Sequence, residues 1–300
     1  MLRAWKINAG AAPEPLALDA GTLDEVSRRL PQGFYSTFRT FGNRTRALEL
    51  KLHLARLYQP AAALGVQPAV DQRVLRRTLR ELLEGGRSTG SAQDDAFDEA
   101  RVRISLSVEE QPGSVFVAIE PLKRLPEEVY RQGVRVVSSY VARADPRLKS
   151  TVFIRQSEEA RRVVSQGGAF EGLIVRHARI LEGLTSNFYY VQERVLGTAH
   201  KGVLLGVTRR LVLQLARAEG LEIVLRALRV AKIQTLSEAF ITSSSRGIVP
   251  VVAVDDLPVA TGRVGPVTRR LMERYTEFVE TRAELIWLSP PLYRNARSLD

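Results

Sequence analysis

The 300 residues contain no cysteine. That excludes disulfides, thiolate metal sites, iron–sulfur clusters and cysteine nucleophiles. Histidine is nearly as scarce. His53, His177 and His200 are the three present, and none stands at ligand spacing from another, so no histidine-built metal site is expected. No apolar run approaches the roughly 20 residues of a membrane span, and Met1–Gly10 lacks the apolar centre of a secretory signal. The expectation is a cytoplasmic chain with no membrane partner and no metal.

Acidic charge is the minority: 44 Lys and Arg against 33 Asp and Glu leave a formal net charge of +11. Arginine is spread along the whole chain with acids between. There is no lysine-rich tail, no zinc-finger spacing and no basic region followed by heptads. A solvated, arginine-rich surface accounts for this pattern, and nucleic acid is not expected as a partner. With 45% hydrophobic residues, the length suits about two domains of ~150 residues, each able to bury a core.

Strand and helix signals alternate, which predicts an α/β or α+β protein. An opening strand and a short helix near Thr22–Leu30 precede a strand at Gly33–Phe41 and a turn at Gly42-Asn43. Leu50, Leu54, Leu57, Ala61 and Leu64 recur at helical spacing, so a helix is expected over Ala47–Leu64, bent at Pro60. Asp71 caps the next helix, which stops at Gly85-Gly86. Gly86–Ala96 reads as a polar loop, and Arg101–Val108 with Ser114–Ile119 as a hairpin. The proline-bearing stretch Glu120–Glu127 sets a domain boundary, giving domains 1–124 and 125–300. Beyond it, strands are expected near Val134–Val141, Leu173–Arg179, Asn187–Gln192 and Ala239–Thr242. Helices are expected at Ser150–Val164, Thr208–Glu219 and Pro266–Glu284.

Several residues are placed where chemistry would use them. Lys149 stands directly before an expected helix, whose positive end disfavours an ammonium by roughly 0.3–1 kcal/mol, with Arg147 close by. Both should lower its pKa and free the neutral amine that a Schiff-base lysine needs; the plain alternative is a surface lysine bending into water. Glu182 leads into Thr185-Ser186-Asn187-Phe188 and is either a loop cap or the partner of a protonated ring nitrogen. Gly206-Val207-Thr208 opens a helix and suits a phosphate. Ser243-Ser244-Ser245 after a strand forms a second possible cradle. Arg56 borders an apolar helix face, where it either snorkels or clamps a phosphate dianion. His53 on the same helix has no paired nucleophile and is read as packed.

The order of these elements carries more than any one of them. Gly33-Phe34-Tyr35-Ser36-Thr37-Phe38-Arg39 comes first, then His53-Leu54-Ala55-Arg56-Leu57 and Arg147-Leu148-Lys149-Ser150. Glu182 through Phe188, Gly206-Val207-Thr208-Arg209-Arg210 and Glu238 through Ser244 follow. The series resembles the class IV (fold-type IV) pyridoxal-phosphate enzymes: branched-chain and D-amino-acid aminotransferases, and aminodeoxychorismate lyase. The resemblance implies a two-domain α/β fold, a small N-terminal domain and a larger one with a mixed sheet or barrel. It implies pyridoxal 5'-phosphate as cofactor, with Lys149 as the aldimine lysine and catalytic base, and Glu182 facing the pyridine nitrogen. Arg56, Val207, Thr208, Ser243, Ser244 and Ser245 would hold the phosphate, and Asn187 the cofactor's edge. Tyr35 would line the substrate pocket, and Arg39 or Arg246 would anchor a substrate carboxylate. Three positions depart from the family pattern: Ser36 replaces its usual Glu, Phe153-Ile154 a frequent tyrosine, and Leu30-Pro31-Gln32 a Gly-Asp-Gly lead.

The resemblance implies an aminotransferase acting on an amino acid and a 2-oxo acid, in a homodimer whose pocket the loop Gly86–Ala96 would help to complete. Its alternative is a lyase releasing pyruvate and 4-aminobenzoate from aminodeoxychorismate. Two readings of other kinds are a nucleic-acid-binding protein on a decayed enzyme core and a cofactor carrier without turnover.

Overall fold

Two sheets organise the chain, and Val, Ile, Phe and Tyr occupy most of the buried positions of their longer strands. The computed structural model describes residues 1–85 and 97–288; the loop expected at 86–96 lies outside them. The first half contains β1 (Arg3–Ile7), β2 (Glu14–Pro15), β3 (Gly33–Phe41), β4 (Arg46–Ala47), β5 (Ala100–Ser107) and β6 (Val115–Pro121). They form one sheet in the order β4-β3-β5-β6-β1-β2, and the late strand Glu284–Leu285 pairs on the β4 edge. Helices α1 (Leu23–Arg29), α2 (Leu50–Ala63) and α3 (Gln72–Gly85) belong to this half. Leu50, Leu54, Leu57 and Ala61 on α2 are fully buried in one core with Phe38, Val102 and Ile104 of the strands.

Helix α4 (Glu127–Gln132) leads to the second sheet. Its strands are β7 (Val134–Ser139), β8 (Glu171–Arg176), β9 (Arg179–Gly183), β10 (Asn187–Gln192), β11 (Val195–Thr198), β12 (Glu222–Val224), β13 (Leu228–Arg229), β14 (Glu238–Ser243), β15 (Gly247–Val254) and β16 (Leu257–Pro258). Between β7 and β8 lie α5 (Val152–Gln156) and α6 (Glu158–Gln166); α7 (Val207–Ala218) follows β11, and α8 (Pro266–Arg282) follows β16. The run β10-β14-β15-β7-β8-β9 closes on itself, because β9 pairs back with β10 through Glu182 and Asn187. A barrel-like mixed sheet results, filled by Val136, Leu173, Phe188, Ile241 and Val249. The α/β class expected from the sequence is the one observed. The division at 124–125 is our proposal: the first sheet's strands end at Pro121 and β7 begins at Val134, while Glu284–Leu285 crosses back to pair with β4.

Three local expectations change. The helix expected from Ala47 begins at Leu50, because Arg46 and Ala47 pair with Phe41 and Thr40 instead. The single helix expected over Ser150–Val164 is two, α5 and α6, parted at Ser157, whose hydroxyl bonds back to the Phe153 carbonyl. The strand expected over Leu173–Arg179 is a hairpin. His177 and Ala178 both hold positive φ (48° and 54°), as a tight two-residue turn requires.

The halves are stitched at the strand that matters most for the site. Tyr35 N donates to the Lys149 carbonyl at 2.9 Å, and Thr151 N donates to the Gly33 carbonyl at 2.9 Å. Gly33 has no substitute here, since a Cβ would sit 1.9 Å from the Leu106 carbonyl oxygen.

Candidate active site

These backbone bonds deliver Lys149 to a cavity of about 780 Å³ between the halves. Every site residue singled out from the sequence lines it: Lys149, Glu182, Asn187 and Arg56; Val207 and Thr208; Ser243, Ser244 and Ser245; Tyr35, Arg39 and Arg246. The structure thus brings together positions spread over some two hundred residues.

Lys149 is half-buried, its ammonium 4.9 Å from the centre of the Tyr35 ring. Burial pushes its pKa well below the ordinary lysine value. Arg56, Arg143 and Arg103 push the same way, and Glu182 opposes them. The reason differs from the one expected. Helix α5 starts three residues later, at Val152, and Ser150 is bridged to Phe34. Arg147 is exposed, and its charge acts on His200 and Arg209. Desolvation and three other arginines do what the helix end and Arg147 were expected to do.

Glu182 is 2% exposed. Its Oε2 accepts from Leu204 N at 2.9 Å and from Asn187 Nδ2 at 3.3 Å. Asn187 also donates to the Leu204 carbonyl at 2.8 Å, which fixes its amide. Oε1 is buried and accepts no hydrogen bond among the described residues; Arg143 Nε lies 3.4 Å away as an ion-pair neighbour. Burial lifts the carboxyl to about 7, against the pull of Arg143, the Leu204 amide and Lys149. Oε2 is held by two donors, while Oε1, beside the Arg143 guanidinium, keeps its hydrogen-bonding capacity for a second cationic partner.

At the start of α7, Gly206 caps the helix and no side chain bonds its first turn. Unpaired N–H groups and the positive helix end are therefore offered where Gly206, Val207 and Thr208 meet the cavity. A Cβ at Gly206 would stand 2.3 Å from Asn187 Oδ1, so the close approach needs glycine. Thr208 Oγ1 and Ser244 Oγ are 3.3 Å apart. Arg56 Nη2 donates to the Leu205 carbonyl at 2.6 Å, which places its guanidinium beside this helix start. Burial brings the Arg56 pKa down to about 10.

The two candidate anchors differ. Arg246 is committed: Nη2 donates to Glu171 Oε2 at 2.7 Å and Thr185 Oγ1 at 2.8 Å, and Nε to Ser243 Oγ at 3.0 Å. Arg39 lies over the Phe41 ring at 4.6 Å and makes no ion pair among the described residues. Ser36, in place of the family's usual Glu, bonds His53 Nδ1 at 2.8 Å, and both are buried. His53 is thus packed, as read from the sequence.

Sequence reasoning missed Arg143, whose guanidinium stacks 3.9 Å from the Phe153 ring centre beside Glu182. It also missed Asp24, Arg103 and Arg161. Arg143 sits in an irregular stretch with no periodicity to mark it. The other three come together only through tertiary contacts.

The site has what pyridoxal phosphate requires: a desolvated amine, a buried carboxylate with one oxygen that accepts no hydrogen bond among the described residues, and an open helix N-terminus beside an arginine. Residues 33–254 match the family model for amino-transferase class IV. The D-alanine aminotransferase of Bacillus licheniformis is 26% identical over 262 residues, 83% of this chain and 88% of that one. The branched-chain-amino-acid aminotransferase of Pseudomonas aeruginosa is 28% identical over 165 residues, 53% and 54% of the two chains. Among solved structures, a branched-chain amino acid aminotransferase (T.th.) with pyridoxamine 5'-phosphate superposes with a TM-score of 0.77 at 21% identity, covering 95% of this chain and 98% of that one. A PLP-bound hypothetical aminotransferase from Mycobacterium tuberculosis gives 0.72 at 21% identity, covering 93% and 99%.

The fold is that of the fold-type IV aminotransferases. The chain belongs to the amino-transferase class IV family; it is a transaminase, with pyridoxal phosphate as its cofactor.

Proposed function

We propose that the enzyme moves an amino group between an amino acid and a 2-oxo acid, with Lys149 as the residue that bonds the cofactor and moves the substrate's proton. One arrangement carries this reading: the Lys149 amine, the Glu182 carboxyl whose Oε1 accepts no hydrogen bond among the described residues, and the N-terminus of α7 share one cavity. The cofactor supplies, when bound, a ring that withdraws electrons from the substrate's Cα. Glu182 would keep a proton on the ring nitrogen, while Leu204 N and Asn187 Nδ2 hold its Oε2. Arg56, the Val207 and Thr208 amides, the Thr208 hydroxyl and Ser243 to Ser245, which line the same cavity, would hold the phosphate. Lys149 Nζ, whose charged form is disfavoured by desolvation and by the neighbouring arginines, would take the proton from Cα and return it within reach of the same atoms, so proximity replaces diffusion. Tyr35 forms the pocket wall, and Arg39 is the better placed carboxylate anchor, since Arg246 is held by Glu171 and Thr185.

The working form proposed is a cytoplasmic homodimer that binds neither nucleic acid nor membrane. Tyr140 (80% exposed) and Leu205 (41%), apolar and next to the site segments, suit burial against a second copy. No helix among the described residues is long and apolar enough to cross a membrane.

Borohydride reduction of the loaded enzyme followed by peptide mapping tests the assignment. The expected pyridoxyl adduct is on Lys149, and an adduct on any other residue overturns it. Incubation with L- and D-amino acids plus 2-oxoglutarate should yield transamination. Pyruvate release from aminodeoxychorismate without transamination would transfer the reading to the lyase.

A further inference from the structure

A second constellation on the cavity wall has no part in holding the cofactor. Asp24, on α1, lies between two guanidinium groups. Its Oδ1 is 2.7 Å from Arg103 Nη1, and its Oδ2 is paired with Arg161 Nη1. Arg103 is 4% exposed, with Nε on Thr37 Oγ1 at 3.0 Å and Nη1 on the Leu23 carbonyl and Ser27 Oγ at 2.8 and 2.9 Å. Arg161 comes from α6 in the other half and is fixed to the Ile154 carbonyl and Ser157 Oγ. Asp24 thus ties an arginine of the first sheet to one behind the second.

Arg103 is also what Tyr35 rests on. Its Cζ stands 4.7 Å from the Tyr35 ring centre, and Lys149 Nζ stands 4.9 Å from the same centre. One aromatic ring therefore sits against both the buried arginine and the reactive amine. Tyr35 cannot drift along the strand, because its amide is bonded to the Lys149 carbonyl.

We propose that Asp24 and Arg103 are positioning residues for the reaction: Asp24 holds Arg103 against Tyr35, and Arg103 in turn fixes the ring and the local charge against which Lys149 releases its proton. This rests on Lys149 being the reactive amine. The groups facing Lys149 are Tyr35 from β3, His53 and Arg56 from α2, Arg103 from β5, Arg143 from the loop before α5, and Glu182 from β9. Among the cations, Arg103 is the one whose field an acid on α1 can balance.

The test uses the cofactor-free full-length protein, with the pH midpoint of Lys149 acylation read by competitive labelling and peptide mass spectrometry. A unit charge about 10 Å away in an effective dielectric of about 20 moves a midpoint by about one pH unit. R103Q removes a cation and should raise the Lys149 midpoint by up to about one unit. D24N leaves Arg103 unbalanced and should lower it, and D24E should restore it. Loss of a buried charge can unfold a chain, so R161Q accompanies them as a milder change: its side chain is 24% exposed, and its removal should also raise the midpoint. Opposite movements in D24N and R103Q support the proposal. Lower melting temperatures with an unmoved Lys149 midpoint overturn it, leaving the cluster a structural tie. Because the readout needs no cofactor, this failure is distinguishable from failure of the Lys149 assignment, which the borohydride mapping would show.

Discussion

Replacing Glu182 by Gln separates what the buried carboxylate costs the cofactor-free protein from what it contributes to the loaded one. Burial raises its pKa from 4.5 to about 7. The folded chain therefore holds that proton more tightly than the unfolded chain. The stability this adds is complete below about pH 4.5 and is lost as pH rises through 7. A gap of about 2.5 units corresponds to about 3 kcal/mol. Gln is a fair copy of the protonated acid: it fills the same space and keeps an oxygen for the Leu204 amide. Without cofactor, E182Q should equal the wild type near pH 4.5 and exceed it at about pH 8 by about 3 kcal/mol, read in thermal melts across pH as several degrees.

Loading should reverse the ranking. A cationic ring nitrogen opposite Oε1 turns the desolvated carboxylate into a satisfied one, so pyridoxal phosphate should stabilise the wild type far more than E182Q. The kcat of transamination should fall by about 10²–10³, as expected when one preorganised charge is removed from a water-poor site. The reasoning is refuted if E182Q gains as much melting temperature from the cofactor as the wild type does, or keeps kcat within about threefold.

Three further outcomes follow from single contacts. Gly206→Ala should lose about 1–3 kcal/mol of stability and bind pyridoxal phosphate more weakly, measured by melts and by titration of the cofactor-free protein, because its Cβ would meet Asn187 Oδ1 at 2.3 Å. Arg56→Lys keeps a cation but not the fork that bonds the Leu205 carbonyl; cofactor dissociation followed by fluorescence should rise about 10–100-fold. Asp71→Ala, far from the chemistry, removes the acceptor of the Arg73 and Val74 amides at 2.8 Å. It should cost about 1 kcal/mol in denaturant unfolding and leave kcat unchanged.

Much of the fold was legible because local signals and tertiary structure agree. Gly33–Phe41 and Asn187–Gln192 are observed with the bounds expected, since β-branched and aromatic runs there are bounded by turn residues. Asp71 caps α3 as its position promised. The misreadings share a cause. Arg46-Ala47 and His177-Ala178 lie inside helix-like or strand-like apolar patterns, and what overrides the pattern is pairing with a distant strand or a backbone held at positive φ. Neither leaves a periodic trace. Closure of the barrel through Glu182 and Asn187 was illegible for the same reason, although both residues had been singled out for their chemistry.

The candidate site was legible as an order of residue types and illegible as an electrostatic balance. Lys149 was chosen for a helix end and a neighbouring arginine, yet burial and the charges of Arg56, Arg143 and Arg103 depress its pKa. Those three arginines come from a helix, a loop and a strand that spacing cannot connect. Each is offset differently: Arg143 by Glu182, Arg103 by Asp24, and Arg56 by the Leu205 carbonyl rather than an acid. Of the three, the arginine without a carboxylate partner among the described residues is the one beside the open start of α7, where a phosphate dianion would complete it. The basic composition, read as a solvated surface, thus also includes a buried set of cations around Lys149, two of which already have their acid. The third marks where the ligand's charge belongs.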